Sequence, residues 1–240
     1  MPETSDQVLE HAQRFGWNLA EITLVVEGEL DVAYFEHANS FYLKASGQSL
    51  LSTKFGVTAC GKGNEGGTRA LIERFSFMHQ LARFAWDDPT KKRYRLIALV
   101  DYDDPGRSTC SVVRTFNRNI IECQDLFVLR RVYPLEQLDP KELKARIEAA
   151  NSAWNGIDCE MEDLLERSLL DSFVSNAPQC LRRPVMEKSG EFHFDFRREF
   201  KPRLLQYVTA NADAEKLTRI LGVLKALRFY AGLSISGNDS

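Results

Sequence analysis

The 240-residue sequence contains no apolar run approaching the roughly 20 residues that a membrane-spanning helix needs. Its opening, MPETSDQVLEHAQRFGW, is polar and acidic, where a secretory leader is basic and then apolar. There is no C-x-x-C pair either. Five cysteines (Cys60, Cys110, Cys123, Cys159 and Cys180) stand far apart, which suits free thiols better than a disulfide or zinc framework. No general surplus of positive charge announces nucleic acid or an anionic membrane, since the net charge is -3 and the pI about 5.9. Local basic clusters remain, KKRYR at 91–95 and the Arg pairs at 182–183 and 197–198, and most such clusters are solvated surface. No repeat or low-complexity tract is present. These absences lead to the expectation of a soluble, cytoplasmic, non-membrane protein. With 44% hydrophobic residues, its length allows one well-packed domain and a smaller appendage.

What is present is an alternation. Apolar, β-branched runs at ITLVV (22–26), FGVTAC (55–60), RLIALV (95–100) and LFVLRRV (126–132) predict strands. Between them lie stretches with helical spacing, so the fold class predicted is α/β, a parallel four-stranded sheet flanked by helices. After Pro134 the pattern becomes mainly helical: PKELKARIEAANSAW, EMEDLLERSLLDSFV and AEKLTRILGVLKALRFYAGL read as amphipathic helices, and GEFHFDF as a short strand. The organisation expected is an N-terminal helical extension (1–19), a core (20–135), a mainly helical C-terminal region (136–234) and a flexible tail (235–240).

In an open parallel sheet, ligands bind beyond the carboxyl ends of the strands. Glu27 falls at the end of the first strand, with Gly28 as a tight turn whose lack of a side chain lets backbone and phosphate come close, and Asp31 one helical turn later; Asp101 and Asp103 close the third strand as DYDDPG. Clustered carboxylates repel one another and are costly to desolvate unless a cation shares their site. Oxygen ligands without His or Cys favour Mg2+ or Mn2+, one or two ions, and such ions stabilise in-line displacement at a phosphodiester. The second strand ends in ACGKGNEGG, where Gly61, Lys62, Gly63 and Asn64 suit a phosphate at a helix N-terminus; the order of a Walker A loop is absent.

This order of motifs resembles the Toprim domain, over roughly residues 20–135. The resemblance rests on VEGELD, on E-x-x-x-D at Glu27 and Asp31, on D-x-D at Asp101 and Asp103, and on GKGN at 61–64, which is similar to the turn in OLD-type nucleases. It implies a metal-dependent endonuclease (a hydrolase) in which Glu27 acts as general base or metal ligand and Asp101 with Asp103 holds magnesium. Asp31 with Glu160 or Glu162 of CEMEDLL would complete a second site, and Lys62 would assist catalysis. The family's downstream lysine matches Lys188 or Lys201. Its S-x-G motif has no clean counterpart, which leaves one against two metals open. Stand-alone Toprim proteins of this size resemble toxic effectors of anti-phage (antiviral) defence, controlled by an ATPase partner. The resemblance does not fix DNA or RNA (tRNA included) as substrate, and a homodimer is open.

Each feature also has an ordinary explanation. Glu29 and Asp31 suit the positive end of a helix dipole, Asp103 and Asp104 make a turn and N-cap before Pro105, and Glu160 and Glu162 suit the exposed side of a helix. Two other functions compete: a phosphatase-like phosphoryl-transfer enzyme, which DYDDP superficially resembles, and a non-catalytic Toprim-like binding module.

Overall fold

The computed structural model describes residues 6–63, 66–86 and 93–237. Two compact units divide the chain, and their segments alternate along the sequence. The first gathers residues 1–32, 51–100 and 104–128; the second gathers 33–50, 101–103 and 129–240.

The first unit holds a four-stranded, all-parallel sheet. Its strands are β1 (Ile22–Val26), β2 (Phe55–Ala59), β3 (Arg95–Val100) and β4 (Leu126–Val128), in the order β2-β1-β3-β4. The runs ITLVV and RLIALV become strands because β-branched and aliphatic side chains fill both faces of a buried sheet. Leu24 and Ile97 on one face, and Val25 and Ala98 on the other, are all fully buried. The second set joins a core with Leu71, Phe75 and Met78 of α3 (Thr68–Trp86), Val113 of α4 (Asp104–Phe116), and Val8 and Ala12 of α1 (Gln7–Arg14). Asp6 caps α1, its carboxylate accepting from the amides of Val8 and Leu9.

β4 ends at Val128, four residues before the run LFVLRRV does. From Leu129 the chain belongs to the second unit, where the Arg131 guanidinium is buried and donates to the carbonyls of Asp158 and Phe192. Those long-range bonds leave no trace in local periodicity.

The second unit is mainly helical, as its pattern suggested. It contains α5 (Pro140–Ala150), α6 (Arg167–Asn176), α7 (Lys201–Asn211) and α8 (Thr218–Tyr230), with most of α2 (Glu29–Ser46), whose first turn lies in the first unit. A hairpin of β5 (Met186–Lys188) and β6 (Glu191–His193) turns through Ser189 and Gly190, both at positive φ. That is the conformation a two-residue hairpin turn demands. Phe192, Phe194 and Phe196 are all buried, with Phe194 and Phe196 stacked at 5.8 Å. They are therefore core rather than a base-stacking surface. Among the described residues no helix is long and apolar enough to cross a membrane.

Candidate functional site

In the first unit the chemistry gathers at the end of β1. Glu27 is the first residue past the strand, and Oγ1 of Thr68, the first residue of α3, donates to its Oε2 at 2.9 Å. Its backbone carbonyl accepts from Gly67 N at 3.0 Å and from the Cys60 thiol at 3.1 Å. The end of β1 is thus tied to the turn after β2. Burial, and then the Glu27 carboxylate, push the Cys60 thiol up to about 12, so it stays protonated and serves as a donor.

Asp31 does not stand at the strand end as Glu27 does. Its Oδ2 accepts from Gly28 N at 2.9 Å, the reach-back of a third-position acid to the residue preceding a helix. Gly28 also needs its glycine less than the sequence suggested: it is not at positive φ, and an added Cβ would meet only Asp31 Oδ2, at 3.8 Å. The glycine that the close approach does require is Gly66, where a Cβ would stand 2.9 Å from the Glu27 carbonyl oxygen. In the rest of the Gly-rich turn, Gly61 is buried, Lys62 and Gly63 are exposed, and the Lys62 side chain runs beside Gly16. Asn64 lies outside the described residues. Glu29 is exposed in the first turn of α2.

The second unit builds a separate cluster of acids around one lysine. Asp101 is the first residue past β3, and Asp101 and Asp103 are both half-buried. Tyr102 between them exchanges two backbone hydrogen bonds with Cys159, at 2.9 and 3.0 Å. That antiparallel bridge lays the D-x-D segment against the residue preceding Glu160. The Arg130 guanidinium stacks over the Tyr102 ring at 3.5 Å. The segment EMEDLLERSLL, read as part of one amphipathic helix, is a 3-10 turn over Met161–Leu164 and then α6. Its Glu162 is 3% exposed. Lys201, at the start of α7, donates to Glu160 Oε2 at 2.8 Å and to Glu162 Oε2 at 3.3 Å.

The electrostatics follow from burial. For Lys201, burial lowers the pKa, but the charges of Glu162, Glu160 and Asp101 outweigh it, and the ammonium is held well above its ordinary range. For Glu160, burial raises the pKa more than the adjacent ammonium lowers it, and Glu162 adds to the rise. Lys188, the other candidate lysine, is exposed and donates to the Asn155 carbonyl, away from the glutamates.

Three side chains help to shape these clusters without having been singled out as site residues in the sequence. Thr68 is a common helix-start residue, and only its partner gives it meaning. Asp163 is fully buried, with Oδ1 accepting from Phe194 N at 3.0 Å and Oδ2 from Glu160 N at 2.9 Å. His193 Nδ1 is 2.7 Å from Asp163 Oδ2. Burial lowers the His193 pKa, but Asp163, by hydrogen bond and charge, overrides it and the net shift is upward. The Asp163–His193 pair therefore fixes the turn that presents Glu160 and Glu162.

The donors in both clusters are carboxylate oxygens, which suits a hard divalent cation in kind. Among the described residues, however, no group of three or more His, Cys, Asp or Glu is arranged to hold a metal ion. In the second cluster the Lys201 ammonium supplies positive charge. Comparison with protein families, with curated proteins and with solved structures finds no match.

Proposed function

We propose that the protein is a Toprim-like, metal-dependent nuclease that hydrolyses phosphodiester bonds in RNA or DNA. The observation that carries this reading is the joining of three sequence-distant motifs in one unit. The Tyr102–Cys159 bridge lays D-x-D beside Glu160 and Glu162, and Lys201 donates to both glutamates. The four-stranded parallel sheet of the first unit adds to it, because Glu27 stands just past the carboxyl end of its strand β1, where open parallel sheets bind ligands.

Binding of Mg2+ or Mn2+ by Asp101, Glu160 and Glu162 would require the two glutamates to turn from the Lys201 ammonium to the ion, which when bound supplies charge neutralisation at phosphoryl oxygens and a more acidic water. The protein's own contributions are positional. Thr68 fixes one oxygen of Glu27, so that the carboxylate is oriented to take a proton from an attacking water. Lys201 brings a permanent positive charge to where negative charge develops on a transferring phosphoryl group. A role as toxic effector in anti-phage defence, held by an ATPase partner in the cytoplasm, belongs to the same proposal and rests on resemblance alone.

A second reading is favoured by that same lysine. An ammonium that already pairs with one buried and one half-buried glutamate is what a non-catalytic module would keep as a structural ion cluster. Incubation with mixed RNA and DNA in Mg2+, beside an EDTA control and Glu27→Ala, separates the two. Cutting by the wild type that stops in the variant and in EDTA supports the nuclease; intact substrate throughout, with a candidate ATPase activator present, supports the module.

A further inference from the structure

We propose that the α3–α4 face of the first unit is a docking surface for a nucleic acid that extends at least about 24 Å from the bond being cut. The inference rests on the nuclease reading and adds where, and how far away, the substrate is held.

Among the described residues, Phe84 and Phe116 are the most exposed large apolar side chains, at 67% and 60%. Phe77, also on α3, packs against His11 and Phe15, whereas Phe84 and Phe116 are exposed and adjoin arginines in sequence. Arg83 precedes Phe84, and Arg114 and Arg118 flank Phe116 two residues to either side. Arg83 Nη1 donates to the Asn119 carbonyl at 3.5 Å, joining the end of α3 to the loop after α4.

Charge on these two helices runs against that of the chain, although Arg74 is half-buried and donates to the Cys60 carbonyl. From α3, and from α4 through Asn119, come Arg69, Arg74, Arg83, Arg107, Arg114 and Arg118 against Glu73 and Asp104, in a protein of net charge -3. Both carboxylates are engaged in ion pairs, with Arg69 and Arg107. Residues 87–92, outside the described structure, carry Asp87, Asp88, Lys91 and Lys92, whose charges cancel. Helix dipoles explain a basic residue in the last turn of each helix, Arg83 and Arg114. They explain neither Arg118 beyond the helix nor the exposure of Phe84 and Phe116. Guanidinium groups for phosphates and exposed rings for bases are how single-stranded segments are held without sequence readout. An acidic peptide would answer the arginines and leave the rings without a stacking partner.

The position of the patch sets the substrate's size. Thr68 touches Glu27 at the start of α3, and Phe84 lies about 24 Å further along the same helix at roughly 1.5 Å per residue. A nucleic acid reaching both must span about seven stacked nucleotides at roughly 3.4 Å each. The face therefore selects long or folded substrates over short fragments.

The test uses Glu27→Ala protein, titrated by fluorescence anisotropy with a labelled 30-nucleotide hairpin, as RNA and as DNA, and with a 5-nucleotide fragment. Arg83→Glu/Arg114→Glu/Arg118→Glu should weaken hairpin binding at least tenfold and flatten its salt dependence. Phe84→Ala/Phe116→Ala should weaken it several-fold, with fragment binding unchanged in both. All five positions are exposed, and thermal melts check that the variants fold. Hairpin binding within twofold of the parent in the arginine variant overturns the proposal, as does failure of the parent to bind either hairpin. A polyglutamate peptide that competes as well as RNA of equal charge assigns the face to an acidic protein and also overturns it. The same substitutions in protein with Glu27 intact keep the two readings apart. Variants that bind and cut like the wild type remove this surface and leave the nuclease. Hairpin binding through these residues by a wild type that never cuts removes the nuclease and, with it, the 24 Å relation.

Discussion

The Lys201 ammonium stands 2.8 Å from Glu160 and 3.3 Å from Glu162, across about forty residues of intervening chain. A lysine side chain 21% exposed and a glutamate side chain 4% exposed make a contact that water screens only in part. Lys201→Met should leave two mutually repelling carboxylates half or wholly buried. We expect a loss of about 3 kcal/mol in urea unfolding, the lower end for a broken buried pair because the lysine keeps some solvent. Lys201→Arg should recover most of it. An unchanged midpoint in the Met variant would show the cluster to be fully screened.

Thr68→Val keeps the shape of the first residue of α3 and removes the hydroxyl that fixes Glu27. A hydrogen bond to a charged group contributes about 1.5 kcal/mol or more. If Glu27 acts in phosphodiester hydrolysis, cutting should fall roughly tenfold with the fold intact. Thr68→Ser should restore it. A Val variant as active as the wild type would place the proton-accepting step elsewhere.

The pair of Asp163 and His193 predicts a pH dependence of stability. The folded His193 pKa lies above its ordinary 6.5, because Asp163 overrides burial, with Glu160 and Asp158 adding to the pull. Its stabilising contribution is therefore complete below about pH 6.5 and is lost as pH rises through the elevated folded value. Urea midpoints of wild type and His193→Gln, measured from pH 6 to pH 9, should differ most at pH 6 and converge at high pH. A constant gap would mean that packing, rather than protonation, carries the pair.

How much of this could be read from the sequence follows from the range of the forces involved. β1 and β3 match their apolar runs to the residue, since burial on both faces writes itself into consecutive positions. Glu27 at a strand end was equally legible, because strand and turn are local. The turn bearing Glu160 and Glu162 was not: it departs from helix where Asp163 bonds to Phe194 and His193, some thirty residues away. The β5–β6 hairpin did leave a signal, Ser-Gly ahead of the alternating EFHF, but its first strand, Met186–Lys188, is wholly exposed and shows no periodicity. The choice between Lys188 and Lys201 needed the fold, since both are basic residues downstream of the glutamates and only the geometry separates them.

The glycines offer the most discriminating pair of substitutions. Gly28 lies beside Glu27 in sequence, yet a methyl group there meets only Asp31 Oδ2 at an ordinary 3.8 Å, and its φ is not positive. Gly66 is remote in sequence, yet a methyl group would stand 2.9 Å from the Glu27 carbonyl oxygen, a backbone atom that no rotamer change can move. Relieving that clash requires the turn after β2 to retreat from β1, stretching the bond from Gly67 N to the same carbonyl. Gly66→Ala should cost about 1–3 kcal/mol of stability and displace Thr68 from Glu27, so that any cutting falls further than in Thr68→Val. Gly28→Ala should change unfolding by less than about 0.5 kcal/mol. If the two variants exchanged these effects in denaturation, the close approach of the Gly-rich turn to the end of β1 would be wrong, and with it the account of how Glu27 is held.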